Sequence, residues 1–186
     1  MGDSAKRRAT YEDLLAASSD RVAEIIDGEL VTQPRPASPH ARAASRLAMD
    51  LGDPFDRGRG GPGGWILLYE PELHLHGDVL VPDLAGWRRE RMPEMPHAAA
   101  FELAPDWVCE VLSPVTAATD RAGKMPIYAR EKVGHIWLVE PIARTLEAYR
   151  HEHGQWLLLG TWRDEAKVCV EPFEAHELEL AGLWAK

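Results

Sequence analysis

Residues 105–114 read Pro105-Asp106-Trp107-Val108-Cys109-Glu110-Val111-Leu112-Ser113-Pro114. Side chains of a strand alternate between its two faces, so Trp107, Cys109 and Val111 point one way and Val108, Glu110 and Leu112 the other. Both faces are apolar apart from Glu110, and a strand apolar on both faces is a central one covered on both sides by helices. Glu110 is then a carboxylate inside a core, costly to bury unless it is paired or holds a metal. Residues 116–131 follow with helical spacing, and Asp120, Lys124 and Tyr128 share one helix face. Pro126 kinks that helix unless it starts near Asp120. Gly134 ends it, and His135-Ile136-Trp137-Leu138-Val139 is a second buried strand. Residues 106–140 therefore predict a strand–helix–strand crossover.

Upstream, the apolar run Val79-Leu80-Val81-Pro82 closes on a second acid, Asp83. Residues 65–87 read as strands, with a turn at Gly77-Asp78. His74 and His76 share a face there at zinc-compatible spacing, though a solvated pair is the simpler reading. Residues 88–104 form an excursion carrying Arg88, Arg89 and Arg91. Residues 52–64, with six glycines, read as a loop that lacks the Gly-Lys-Ser/Thr of a phosphate loop. Ser38 caps a helix with Pro39 at its first position, and Ala41, Ala44, Leu47, Ala48 and Leu51 make its apolar stripe. Arg42 and Arg46 form a basic ridge on it. His40, in its first turn, reads as a solvated helix-start residue. Residues 21–33 predict a hairpin turning at Asp27-Gly28. Glu24 shares a face with Val22 and Ile26, which marks a sheet edge or a functional cluster. Thr10 caps a short helix whose Leu14 and Leu15 face inward. At the other end, residues 145–149, 155–161 and 168–170 read as short antiparallel strands.

A chain of 186 residues, 45% apolar and 27% charged, fits one globular domain. We expect a disordered tail over residues 1–9 and a single domain over residues 10–186. No apolar run approaches the roughly 18 residues of a membrane span. The polar start does not read as a secretory signal, so the expectation is a cytoplasmic protein. Cys109 and Cys169 are too few for a disulfide framework and read as buried thiols. The net charge of −9 argues against a protein that coats nucleic acid by electrostatics alone. It leaves room for acids that hold divalent cations.

Two acids and a lysine brought together suit phosphodiester hydrolysis. Mg²⁺ or Mn²⁺ takes oxygen donors and keeps several waters, so Asp83 and Glu110, with the Val111 carbonyl as a third ligand, suffice. Lys124 then orients the water or stabilises the building negative charge. The competing reading is a turn aspartate plus a buried Glu110–Lys124 ion pair.

The segments Val81-Pro82-Asp83, residues 105–114, Asp120-x-x-x-Lys124-x-x-x-Tyr128 and Val133-Gly134-His135-Ile136-Trp137-Leu138-Val139-Glu140-Pro141 resemble the Uma-type restriction endonuclease family of the PD-(D/E)XK nuclease superfamily. Glu24-Ile25-Ile26-Asp27-Gly28-Glu29-Leu30 and His40 extend the resemblance, which runs from Tyr11 to Tyr149. It implies a restriction-endonuclease-like α/β (α+β) fold: a mixed central sheet flanked by helices, an N-terminal hairpin, C-terminal antiparallel strands, and the acids where two strands diverge. It implies Asp83 and Glu110 as metal ligands and Glu24 as an extra acid, with His40, Asp120 and Tyr128 supporting them. The superfamily's usual lysine position is Leu112 here, and Lys124 on the next helix takes its place. The implied activity is a Mg²⁺- or Mn²⁺-dependent endodeoxyribonuclease, a homodimer acting on DNA. Separately from the resemblance, Arg42, Arg46, Arg88, Arg89 and Arg91 are the candidates for a local DNA surface beside the site, against the default of solvated basic residues. A non-catalytic binding module on the same fold, or a phosphoesterase with another substrate, remain the alternatives.

Overall fold

The computed structural model describes residues 7–184. Thr10 starts α1 (Tyr11–Leu15) with a capping box, its side chain accepting from the Asp13 N–H while the Asp13 carboxylate accepts from the Thr10 N–H. A helix this short has one inward position, so Leu14 is buried and Leu15, expected inside, is exposed. The expected tail lies mostly outside the described residues. Within them, the Ala9 N–H donates to the Gly28 carbonyl at 2.7 Å.

The hairpin of β1 (Arg21–Ile26) and β2 (Glu29–Pro34) turns at Asp27 and Gly28, with φ of 51° and 80°, as a type I′ turn requires. α2 (Ser38–Leu51) starts earlier than the sequence suggests: Ala37 is its N-cap, Ser38 makes no capping bond, and Pro39 sits inside the first turn. The helix does not give way to a loop at Gly52. It runs on as a π-helical turn, Gly52–Asp56, which swings Phe55 into the core against Phe173 at 4.7 Å between ring centroids.

The chain then forms β3 (Trp65–Tyr69), β4 (Leu73–Leu75), β5 (Asp78–Leu80) and β6 (Leu84–Arg88), followed by β7 (Trp107–Val111). Next come α3 (Ala117–Thr119), a π-helical turn (Asp120–Lys124) and α4 (Met125–Arg130), in place of one continuous helix. β8 (His135–Glu140), β9 (Thr145–Glu152), β10 (Gln155–Arg163), β11 (Lys167–Val168) and β12 (Leu178–Glu179) complete it. The turn before β5 is His76-Gly77, with φ of 48° and 96°, so His76 leaves the strand and no longer shares a face with His74. Each histidine meets an acid instead, His74 with Glu72 and His76 with Glu131, both at 2.7 Å.

The main sheet has the order β10-β9-β8-β7-β6-β3. β7 and β8 are parallel, as the crossover requires, and every other neighbouring pair is antiparallel. This is the mixed sheet expected. Trp107, Cys109 and Val111 pack with α2, Phe55 and the C-terminal segment on one face. Val108 and Leu112 pack with Ile127 and Tyr128 of α4, and with Leu73, Leu75 and Leu80, on the other. A second sheet, β2-β1-β5-β4, carries the hairpin. β9 and β10 are longer than expected, at 8 and 9 residues. The third C-terminal strand does not join them. β11 pairs with β12, while Val168, Val170 and Phe173 turn onto the main sheet. Cys109 is buried, but Cys169, flanked by those inward valines, is exposed. Among the described residues no helix is long and apolar enough to cross a membrane.

Candidate active site

The last register pair of β6 and β7 is Leu84 with Cys109. One step beyond it, Asp83 and Glu110 stand across from each other where the ladder stops. Pro82 has no N–H to continue pairing, and the Asp83 carboxylate replaces the ladder by accepting from the Val111 N–H at 2.7 Å. The two strands part here. The other Asp83 oxygen meets His40 Nε2 at 2.5 Å. His40 is therefore no solvated helix-start residue, because the first turn of α2 aims it at the split in the sheet.

Glu110 has a partner on each oxygen. Oε1 accepts from the Tyr128 hydroxyl at 2.6 Å and Oε2 from Lys124 Nζ at 3.3 Å. Lys124 Nζ also lies 2.9 Å from Glu24 and 3.2 Å from Asp120. Glu24 is held in turn by the Val81 N–H at 2.8 Å and Gln33 Nε2 at 3.2 Å. It ties the hairpin to the segment that leads into Asp83. Gln33 was not legible in the sequence, since an alternating strand position gives no sign of what it faces. The π-helical turn allows Asp120 and Lys124 to converge above Pro126, for a π turn accommodates a missing i→i−4 bond in a way an α turn does not.

The cluster is almost wholly buried: Glu24 is 1%, Glu110 2%, Asp120 2% and Lys124 3% exposed. It sets three carboxylates around one ammonium. Burial pushes the Glu110 carboxyl well above the usual carboxylate range, with Lys124 pulling it back and Asp120, Asp83 and Glu24 adding to the rise. Asp120 is raised by burial, again against Lys124. For Lys124 burial works downward, but Glu110, Glu24 and Asp120 together lift its pKa well above the usual lysine value. The ammonium is thus held protonated. Lys124 is a donor and a fixed positive charge, not a base.

These residues open onto a cleft of about 240 Å³ lined by His40, Asp83, Glu110, Val111 and Lys124, with Pro34, Arg35 and Val115 at its mouth. Among the described residues no three His, Cys, Asp or Glu side chains gather into a metal cage. A hard cation that keeps most of its waters needs only one or two carboxylates. The donor set of Asp83 and Glu110 is all oxygen, within a cluster whose acids outnumber its cations, so it fits Mg²⁺ or Mn²⁺.

The expected DNA-facing arginines do not gather here. β6 runs away from Asp83, so Arg88 lies five residues along it, about 16 Å at strand rise. Its guanidinium stacks on Trp65 at 4.6 Å. Arg89 pairs with Asp56 at 3.0 Å and Arg91 with Asp106 at 2.8 Å. Arg46 pairs with Asp50 at 2.9 Å. Arg42 is two positions past His40, about 200° round the helix and away from the cleft.

The fold has known counterparts. A crystal structure at 1.96 Å of a "putative nuclease belonging to DUF820" from Anabaena variabilis ATCC 29413 superposes with a TM-score of 0.75 at 22% identity. The match covers 94% of this chain and 97% of that one. No curated protein matches the chain. The model of the Uma2 family, described as "Putative restriction endonuclease", matches residues 8–181, nearly the whole chain, and the protein therefore belongs to the Uma2 family.

Proposed function

We propose that the protein is a divalent-metal-dependent endodeoxyribonuclease that hydrolyses phosphodiester bonds in the cleft beside Asp83 and Glu110. The observation that carries this reading is the meeting of Asp83, Glu110 and Lys124 at the point where β6 and β7 part. Family membership and the nuclease counterpart support the reaction class. Asp83 and Glu110 would hold Mg²⁺ or Mn²⁺, which when bound activates water and relieves charge on the phosphoryl oxygens. His40 and the Val111 N–H fix the Asp83 carboxylate, while Tyr128 and Lys124 fix Glu110. Lys124, kept protonated by its three acids, offers positive charge to the negative charge that builds on the phosphoryl group. Glu24 and Asp120 hold Lys124 in place.

The test is incubation of supercoiled plasmid, short duplex DNA and single-stranded oligonucleotides with Mg²⁺ or Mn²⁺. Cleavage that requires the ion is the expected result. No cleavage with either ion, across low and moderate salt, sinks the reading for DNA.

The homodimer belongs to the same proposal. β10 is an outer strand of the main sheet, with Leu157 and Leu158 exposed and no charge between Gln155 and Trp162. An uncharged apolar edge is a template for pairing with another strand. Leu158→Lys should shift the mass in sedimentation equilibrium from dimer toward monomer. An unchanged dimer places the interface elsewhere.

A further inference from the structure

Arg35 stands at the mouth of the cleft between Pro34 and Pro36. Among the described residues it makes no ion pair, and its one side-chain bond is to the Ser19 carbonyl at 3.2 Å. This sets it apart from Arg46, Arg89 and Arg91, each tied to an acid. Its guanidinium is left to meet a phosphate.

On the other side of Asp83, Tyr69 ends β3 with 48% of its surface exposed. Tyr69 pairs with Leu84, and the next residue, Glu70, donates its N–H to the Asp83 carbonyl at 3.0 Å. The ring is thus one residue from the site along both strands. Burial, the largest cause, and the neighbouring Glu70 push its phenol up to about 12. From Tyr69 a groove of about 590 Å³ runs between α2 and β3, walled by Ala48, Met49, Leu67 and Leu84, with Asp53 and Asp56 also in its lining, paired to Arg57 and Arg89. β3 is the last strand of its sheet.

We propose that Arg35, Tyr69 and this groove form a track for a single, unpaired nucleic-acid strand, with Arg35 on a phosphate next to the scissile one and a base in the groove against Tyr69. The proposal rests on the phosphodiesterase reading for the position of the scissile bond. Charge decides between one strand and two. Duplex binding draws its affinity from neutralising many backbone phosphates. This chain carries a net charge of −9, and Arg46, Arg89 and Arg91 are spent on its own acids. Stacking of a base on an aromatic ring is indifferent to net charge, and only an unpaired base offers its face to a groove.

The test is fluorescence anisotropy of the full chain with a fluorescein-labelled twelve-nucleotide thymidine oligomer and with a duplex of the same length, in EDTA, so that binding is read without cleavage. The single strand should bind at least about tenfold more tightly than the duplex. Tyr69→Ala should weaken single-strand binding by about tenfold and Tyr69→Phe by less than about twofold, since the ring face and not the hydroxyl carries the contact. Arg35→Ala should reduce the slope of log affinity against log salt by about 0.7, the share of one single-strand phosphate. Met49→Glu, on the exposed face of α2, should reproduce the loss by putting a charge in the groove; Arg163→Ala, on the far edge of the sheet, should change nothing. Duplex binding as tight as single-strand binding, an unchanged Tyr69→Ala, or no binding of either oligomer overturns the proposal. Binding with this pattern but no metal-dependent cleavage leaves the track standing and sinks the nuclease reading. Cleavage without the pattern sinks the track alone.

Discussion

Glu110→Gln should lower the rate of metal-dependent DNA cleavage by on the order of a thousandfold while the protein stays folded. Glutamine has the shape of glutamate and keeps an oxygen for the Tyr128 hydroxyl, which donates to Glu110 at 2.6 Å. What it loses is the negative charge. Because burial already pushes Glu110 upward, the wild-type site holds its charge at a cost that only a nearby cation offsets. Asp83→Asn should fall as far, since an amide in place of the carboxylate disturbs both the His40 and the Val111 contacts and withdraws an oxygen from the proposed metal donor set. Single-turnover rates on a fluorescent oligonucleotide, together with a melting curve for each variant, measure both. A Glu110→Gln enzyme that cuts within tenfold of wild type removes Glu110 from the chemistry.

Lys124→Met should destabilise the protein by about 3–5 kcal/mol, because removing one member of a buried ion cluster leaves the others uncompensated. Methionine fills similar space without the charge, so Glu24, Glu110 and Asp120 are left facing one another. The loss should depend on pH, and its sign follows from the proton balance. Lys124 has a raised pKa in the folded state, so its contribution is present throughout the range below 10.5 and is lost only as the pH climbs past that. Glu110 and Asp120 are raised too, so the folded chain holds their protons more tightly than the unfolded one. Stability from these two groups therefore falls as pH rises above about 4.5. Without the ammonium that fall steepens. Urea denaturation should show the largest deficit for Lys124→Met at pH 8 and a smaller one at pH 5. A deficit that does not change with pH contradicts the ion cluster. Lys124→Arg should not rescue cleavage, since a planar guanidinium does not replace a compact ammonium enclosed by three acids.

The frame of the fold was readable because its signals are local. Alternation in Trp107–Val111 with apolar residues on both faces marks a central strand, and the Gly134 break before His135 closes the crossover. Asp120 and Lys124 were readable as neighbours on one helix face, although the π turn that carries them was not. What stayed hidden depends on register and long-range placement. No local pattern puts Asp83 opposite Glu110; that follows from the pairing of Leu84 with Cys109. His40 looks like any first-turn histidine until the helix is docked with that turn against the sheet split. Arg88, Arg89 and Arg91 look like a basic patch near Asp83 in sequence, but an extended strand carries them to its far end. Arg35 and Tyr69 gave no signal, because their significance lies in what surrounds them: one guanidinium without an ion pair among the described residues, and one ring at the end of a groove.

Three acids around one lysine also describe a closed structural cluster with no metal to hold, and Mn²⁺ binding separates the two. Titration of Mn²⁺ into the protein, followed by the loss of the free-ion electron paramagnetic resonance signal, tests this directly. The nuclease account predicts Mn²⁺ bound by the wild type and lost on Glu110→Gln and on Asp83→Asn. Wild-type protein that leaves the free-ion signal unchanged, or variants that bind Mn²⁺ as well as wild type does, would contradict it.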